Sequence, residues 1–179
     1  MKVLIINGSP RPRGNTKIAL DEMVKIFDQE GIESEIVHIG NKDIRGCIAC
    51  MSCKTKLGHC VFDDCVNEIS QKFEEADGLV VGTPVYYGSA NATLIAFLTR
   101  LFYSTPFDKT MKVGASAVVA RRGGFLQLMM KSINFLLFQE CQLLLHNIGI
   151  LFMEEKWEKQ VKMKKDYKQC VFLLETCHF

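Results

Sequence analysis

Long uninterrupted apolar runs are missing from this chain: a charged or strongly polar residue breaks each one before it reaches the length needed to span a bilayer. A surplus of one charge is missing as well. Lys and Arg number 22 against 20 Asp and Glu, a net charge of +2. That balance removes the bulk attraction expected of a nucleic-acid binder, so neither nucleic acid nor membrane is an expected partner. A signal peptide is not legible, because the opening apolar stretch meets Gly8-Ser9-Pro10-Arg11 after four residues. A cytoplasmic protein is expected. Eight cysteines in such a compartment point to metal or redox use rather than to disulfides. No internal repeat or low-complexity tract is visible. No Ser/His/Asp or Cys/His nucleophilic set stands out.

Two familiar phosphate loops are also absent. A P-loop requires GxxxxGK[ST], but five residues separate Gly8 from Gly14, and Asn15 stands where the lysine belongs. A Rossmann fingerprint requires GxGxxG and an acidic residue after the second strand. That strand, expected at residues 33–39, runs out at His38-Ile39-Gly40 without a carboxylate.

What is present is organised around residues 2–20. Val3, Leu4, Ile5 and Ile6 form a short apolar run suited to the centre of a parallel sheet. Asn7-Gly8-Ser9-Pro10 breaks it. Ala19, Leu20, Met23, Val24 and Phe27 then recur at helical spacing. A loop between a strand and a helix start offers backbone N–H groups and the positive end of the helix dipole, which together make an anion site. Ser9, Asn15 and Thr16 add short donors, Gly14 adds close approach, and Arg11 and Arg13 add charge. The bland alternative is an ordinary turn with solvated arginines.

Strands and helices alternate along the rest of the chain. Helices are expected at residues 16–30, 64–75 and 91–102, with Gly31 closing the first and Pro106 ending the segment after the third. Asp63 and Asp64 suit the start of the second. On the third, Leu94, Ile95, Phe97, Leu98 and Leu101 are expected on the buried side. Strands are expected at 78–81 and 112–120. The pattern predicts an α/β fold with a parallel sheet covered by helices on both faces. Ligand should sit at the carboxyl ends of the strands. Three loops lie there: 8–16, 83–88 and 121–124.

Two of these loops carry a family resemblance. GSPRPRGNT, residues 8–16, resembles the phosphate loop of the NAD(P)H-dependent FMN reductases of the flavodoxin-like group. GTPVYYG, residues 82–88, resembles the loop that holds the isoalloxazine ring in that family. Tyr86 and Tyr87 offer flat faces, and Gly88 permits backbone N–H groups to approach the ring edge. Pro84 and Val85 complete that loop. The resemblance implies a flavodoxin-like three-layer sandwich of strand order 2-1-3-4-5. It implies FMN held by Ser9, Arg11, Arg13, Gly14, Asn15, Thr16 and residues 84–88. It also places Arg121 and Gly123 near the pyrimidine end of the flavin, where N–H groups or Arg121 would stabilise charge on the reduced ring. NAD(P)H would supply hydride, and a small molecule or a protein would accept the electrons. No side chain need act as an acid or base.

Residues 44–62 are expected to form a cysteine-rich insertion in an FMN-binding part covering residues 1–124. Cys47, Cys50, Cys53 and Cys60 stand at spacings of two, two and six intervening residues, with Gly58 able to return the last. Four thiolates suit a 4Fe–4S cluster or a structural zinc. The spacing resembles the compact motif of iron–sulfur flavoproteins, a branch of the same family. A segment that only covers the flavin or builds a dimer contact is the third reading. Cys65 reads as a small buried residue and His59 as a solvated loop residue.

After Gly124 the resemblance fails. Back-translation of residues 125–135 allows a shifted frame reading PTAYDEINKF, which resembles the missing family helix. The forced ATG codons of Met129 and Met130 leave that frame little freedom at Asp-Glu. Residues 135–149 and the final stretch allow similar family-like readings of the fifth strand and last helix. An out-of-frame segment from about residue 125 is therefore expected; the alternative is a genuine divergent tail, with Lys156 to Lys168 as a basic, exposed helix. Residues 125–179 then form an atypical part of the same domain with a doubtful fifth strand, although Leu143, Leu144, Leu145, Ile148 and Ile150 could supply one by accident. Cys141, Cys170 and Cys177 would have no evolved role. The expected FMN oxidoreductase would be weakened or inactive, and would form a homodimer or tetramer only if this part folds. An iron–sulfur electron carrier and an inactive flavin-binding remnant are the rival readings.

Overall fold

The computed structural model describes residues 1–110 and 112–120, together with the backbone of residues 142–143. Strand β1, Lys2–Asn7, lies at the centre of a parallel sheet, with β2, Glu33–His38, on one side and β3, Gly78–Pro84, on the other. Beyond β3 come β4, Val113–Val119, and a two-residue β5, Gln142–Leu143. The order is β2-β1-β3-β4-β5, that of a flavodoxin-like sheet. Of the fifth strand that the sequence left in doubt, Gln142 and Leu143 are described, paired with Val113 and Gly114. Leu144, Leu145, Ile148, Ile150, Cys141, Cys170 and Cys177 lie outside the described residues.

The apolar run of β1 serves both faces, as strand alternation requires. Val3 and Ile5 join Leu20, Met23 and Phe27 of helix α1, Asn15–Gln29, on one side. Leu4 and Ile6 join Ile69 and Phe73 of helix α2, Cys65–Glu75, and Leu94, Phe97 and Leu101 of helix α3, Ala92–Ser104, on the other. Phe73 meets Phe102 and Phe107 edge to face, at centroid separations of 6.0 and 5.4 Å. Such packing adds about 0.5–1.5 kcal/mol per pair beyond burial.

Helix ends follow sequence chemistry. After α1, Gly31 has φ +68°. Its N–H donates to Asp28, and that of Ile32 donates to Phe27, a Schellman closure. Asp64 caps α2, accepting the Val66 N–H at 3.1 Å.

Three expectations need correction. Strand β3 does not stop at Val81: Gly82, Thr83 and Pro84 stay paired with Ala117, Val118 and Val119 because β4 continues alongside them. Asp64 and Asn91 are caps rather than helical residues. Ile95 is exposed, since it falls off the stripe defined by Leu94, Phe97, Leu98 and Leu101. Among the described residues no helix is long and apolar enough to cross a membrane.

Candidate functional site

The carboxyl ends of β1, β3 and β4 frame a cleft of about 800 Å³. Its floor and one wall are the unbroken loop Ser9, Pro10, Arg11, Pro12, Arg13, Gly14, Asn15 and Thr16; the facing wall is Pro84, Val85 and Tyr86, with Val119 and Ala120 behind. The volume lies in the range of small-molecule and cofactor sites.

The loop is shaped by its own backbone. Gly8 donates its N–H to the Gly82 carbonyl at 2.8 Å, which ties β1 to β3 where the loop departs. Ser9 N–H donates to Asn7 Oδ1 at 3.0 Å, and Arg11 N–H to Ser9 Oγ at 3.2 Å. Gly14 N–H returns to the Arg11 carbonyl at 3.2 Å. Gly14 is also the N-cap of α1. It has no side chain to occupy the helix start, and the first turn holds no acidic residue. The positive end of α1 is therefore left to whatever enters the cleft. Arg11 and Arg13 are exposed at its rim, whereas Ser9 and Thr16 are buried.

Two supports hold this loop from outside the cleft. The His38 Nε2 donates to the Ser9 carbonyl at 2.7 Å, from the end of β2. Asn91 Nδ2 donates to both the Gly8 and Gly40 carbonyls, at 2.8 and 3.0 Å. Helix α3 thereby fixes two loops through its capping residue.

The second wall ends in a tight reversal. Tyr86 and Ser89 exchange N–H···O bonds of 2.8 and 2.9 Å. Tyr87 and Gly88 between them have φ of +50° and +74°, the signs of a type I′ turn. The turn directs Tyr86 to the cleft and leaves Tyr87 fully exposed. Of the residues expected to surround a flavin ring, Pro84, Val85 and Tyr86 line the cleft; Tyr87 and Gly88 form the turn beyond it. Arg121 and Gly123 lie outside the described residues.

The four motif cysteines share a second, smaller pocket with Ile48, Met51, Val61, Phe62, Arg100, Tyr103 and Ser104. Cys47 and Cys50 are exposed; Cys53 and Cys60 are half-buried; all four are free thiols. A single π-helical turn, Cys53–Leu57, closes at Gly58 with φ +70°. Among the described residues no three Cys, His, Asp or Glu side chains converge as a set of metal ligands. The backbone between the cysteines is unusual, with φ of +53° at Ala49 and +61° at Met51. Non-glycine residues rarely adopt that region. The Ala49 N–H donates to Cys47 Sγ at 3.4 Å. Hydrogen bonds from the Ser52 backbone and then its side chain hold Cys50 below the ordinary thiol range. Cys65 lies outside this pocket, and burial pushes its thiol up. His59 is exposed, with Nδ1 on the Leu57 carbonyl.

Arg100 is the residue of this region that pattern reading missed. Its side chain is wholly buried and grips both oxygens of Asp64, at 2.5 and 2.9 Å. Nη1 also donates to the Arg45 carbonyl at 3.1 Å, and Nε to Cys60 Sγ at 3.2 Å. The guanidinium covers the Phe62 ring at 4.9 Å. Burial opposes its charge, but the bonds to Asp64 and Cys60 outweigh that penalty and raise its pKa. The signal was available: Arg100 is the sole charge in the thirteen residues of α3.

A doubly wound parallel sheet with its cleft at the strand carboxyl ends defines the class as flavodoxin-like. The sequence model of the NADPH-dependent FMN reductases matches residues 1–149, and the chain belongs to that family. The match passes residue 124, the point where the motif resemblance fails. An iron–sulfur flavoprotein of Methanocaldococcus jannaschii is 41% identical over 130 residues, covering 69% of this chain and 65% of that protein. One from Methanosarcina thermophila is 36% identical over 128 residues, covering 69% and 66%. The aligned part thus spans about two-thirds of these relatives. Among solved structures, RosB with a bound formylated riboflavin phosphate intermediate superposes with a TM-score of 0.76 at 19% identity, over 98% of this chain and 76% of that one. An archaeal flavodoxin gives 0.62 at 14% identity, over 97% and 93%. These likenesses establish the fold.

Proposed function

We propose that this chain is an FMN-binding oxidoreductase that draws reducing equivalents from NADH or NADPH and passes them to a small-molecule or protein acceptor. The observation that carries the reading is the cleft itself. One wall is a side-chain-free helix start with two arginines at its rim, and the other is a Pro-Val-Tyr surface. A phosphate ester needs the first wall and a flat heteroaromatic ring suits the second. FMN, when bound, would supply the redox chemistry. Ser9, Gly14, Asn15 and Thr16 would hold its phosphate, with Arg11 and Arg13 balancing the charge. Tyr86, with Pro84 and Val85, would orient the ring and keep water from one side of it. The sequence also assigns Tyr87, Gly88, Arg121 and Gly123 to this site. The family, and its relatives named flavoproteins, support the flavin.

A second reading is favoured by the cysteine pocket. Four free thiols lining one pocket, with a buried cation bonded to one of them, fit an anionic 4Fe–4S cluster by donor type and by charge. Cys47, Cys50, Cys53 and Cys60 would be its ligands, and the chain would pass electrons singly between cluster and flavin. The relatives named iron–sulfur flavoproteins support this reading.

The absorbance of anaerobically purified full-length protein, with and without NADH or NADPH, tests both. Flavin bands that bleach with a nicotinamide cofactor support the reductase. An added broad shoulder that bleaches with dithionite supports the cluster. A colourless protein that takes up no FMN overturns the proposal.

A further inference from the structure

The cysteine segment leaves the body of the fold at Arg45 and rejoins it at Cys60 to Asp64. Both of its ends converge on one buried side chain. Arg100 Nη1 holds the Arg45 carbonyl, Nε holds Cys60 Sγ, and the guanidinium edge holds Asp64, which caps α2. The guanidinium carbons of Arg100 and Arg45 both stand over the Phe62 ring, at 4.9 and 5.3 Å from its centroid. The backbone of Cys60 is clasped separately: its N–H donates to Asn67 Oδ1 at 3.0 Å, and Asn67 Nδ2 returns to the Cys60 carbonyl at 2.9 Å. Cys60 is thus fixed at main chain and sulfur by two helices. Cys47 and Cys50 stand exposed on the loop that leads to it.

This asymmetry has a physical meaning. A loop whose ends are pinned has already lost most of the entropy that closing it around a ligand would cost. A sulfur that accepts an N–H from a buried cation carries less electron density toward any metal it binds, which favours the reduced, more negative state of the site. We propose that Arg100 is a positioning residue for the four-cysteine site: it pre-sets Cys60 as the fixed ligand, staples both ends of the cysteine loop, and raises the reduction potential of the bound group through its N–H to Cys60 Sγ. The inference rests on the cluster reading above.

The test uses the full chain, reconstituted anaerobically with iron and sulfide. Wild type, Arg100→Lys and the double variant R100M/D64L are compared. The double variant removes both charges of the buried pair together, so no lone carboxylate remains to unfold the protein. Iron and sulfide per chain are measured, and the midpoint potential is read by dithionite titration. Arg100 variants are expected to bind less iron and to be harder to reduce, by about tenfold in the one-electron equilibrium, or about 59 mV. Variants with wild-type iron content and potential overturn the role of Arg100 while leaving the cluster standing. A wild-type protein that takes up neither iron nor sulfide overturns the cluster reading, and this inference with it.

Discussion

Gly40 is pressed so closely against Ser9 that a Cβ at Gly40 would lie 2.1 Å from the Ser9 carbonyl oxygen. The same carbonyl accepts from His38, so the loop cannot simply move aside without losing that bond. Gly40→Ala is therefore expected to displace the Ser9 to Thr16 loop. It should cost about 1–3 kcal/mol of stability as overpacking does, and weaken FMN binding well beyond that of a surface variant. Urea unfolding and a flavin fluorescence titration check the two effects. An alanine variant with native affinity would show that this loop does not form the site.

Arg100 and Asp64 form the buried ion pair of the described core, with the arginine side chain fully enclosed. Removing one partner leaves the other charge stranded. Asp64→Ala, which also deletes the α2 cap, is expected to lower stability by about 3–5 kcal/mol. The R100M/D64L double variant should recover part of that loss. The urea midpoints of the single and double variants measure it directly.

The thiols should titrate apart. Hydrogen bonds from Ser52 stabilise the Cys50 thiolate, so its pKa is lowered. Burial disfavours the Cys65 thiolate, so its pKa is raised. In metal-free protein, iodoacetamide should reach half its maximal rate at Cys50 below the pH of an ordinary thiol, and at Cys65 above it. Peptide-resolved mass spectrometry across a pH series reads both. Coincident profiles would contradict the assigned environments.

Charge at the cleft rim should be felt by the phosphate alone. Arg11→Ala is expected to weaken FMN about tenfold, the loss of one charge-assisted bond of about 1.5 kcal/mol, and to leave riboflavin binding unchanged. Equal losses for both ligands would place Arg11 against the ring instead.

Much of this architecture was legible because it is local. Val3 to Ile6 could only be a buried strand, Gly31 marked a Schellman closure, and Asp64 marked a helix start. The Ser9 to Thr16 loop was legible because its donors are consecutive. What escaped depends on contacts distant in sequence. Asn91 reads as the first helical residue, and its bonds to Gly8 and Gly40 cross 83 and 51 positions. Gly40 shows its role only when Ser9 is beside it. Tyr87-Gly88 lacks the Asn-Gly signature of a type I′ turn, so the separation of Tyr86 from Tyr87 was hidden. The extension of β3 through Pro84 came from its neighbour β4 and not from its own residues.

The most direct measurement is a paired titration of the full chain with FMN and with riboflavin, followed by fluorescence at low ionic strength. A helix start and two arginines that seat a phosphate predict FMN binding tighter than riboflavin by at least about a hundredfold, near 2.7 kcal/mol. Equal affinities, or no binding of either, would contradict the account.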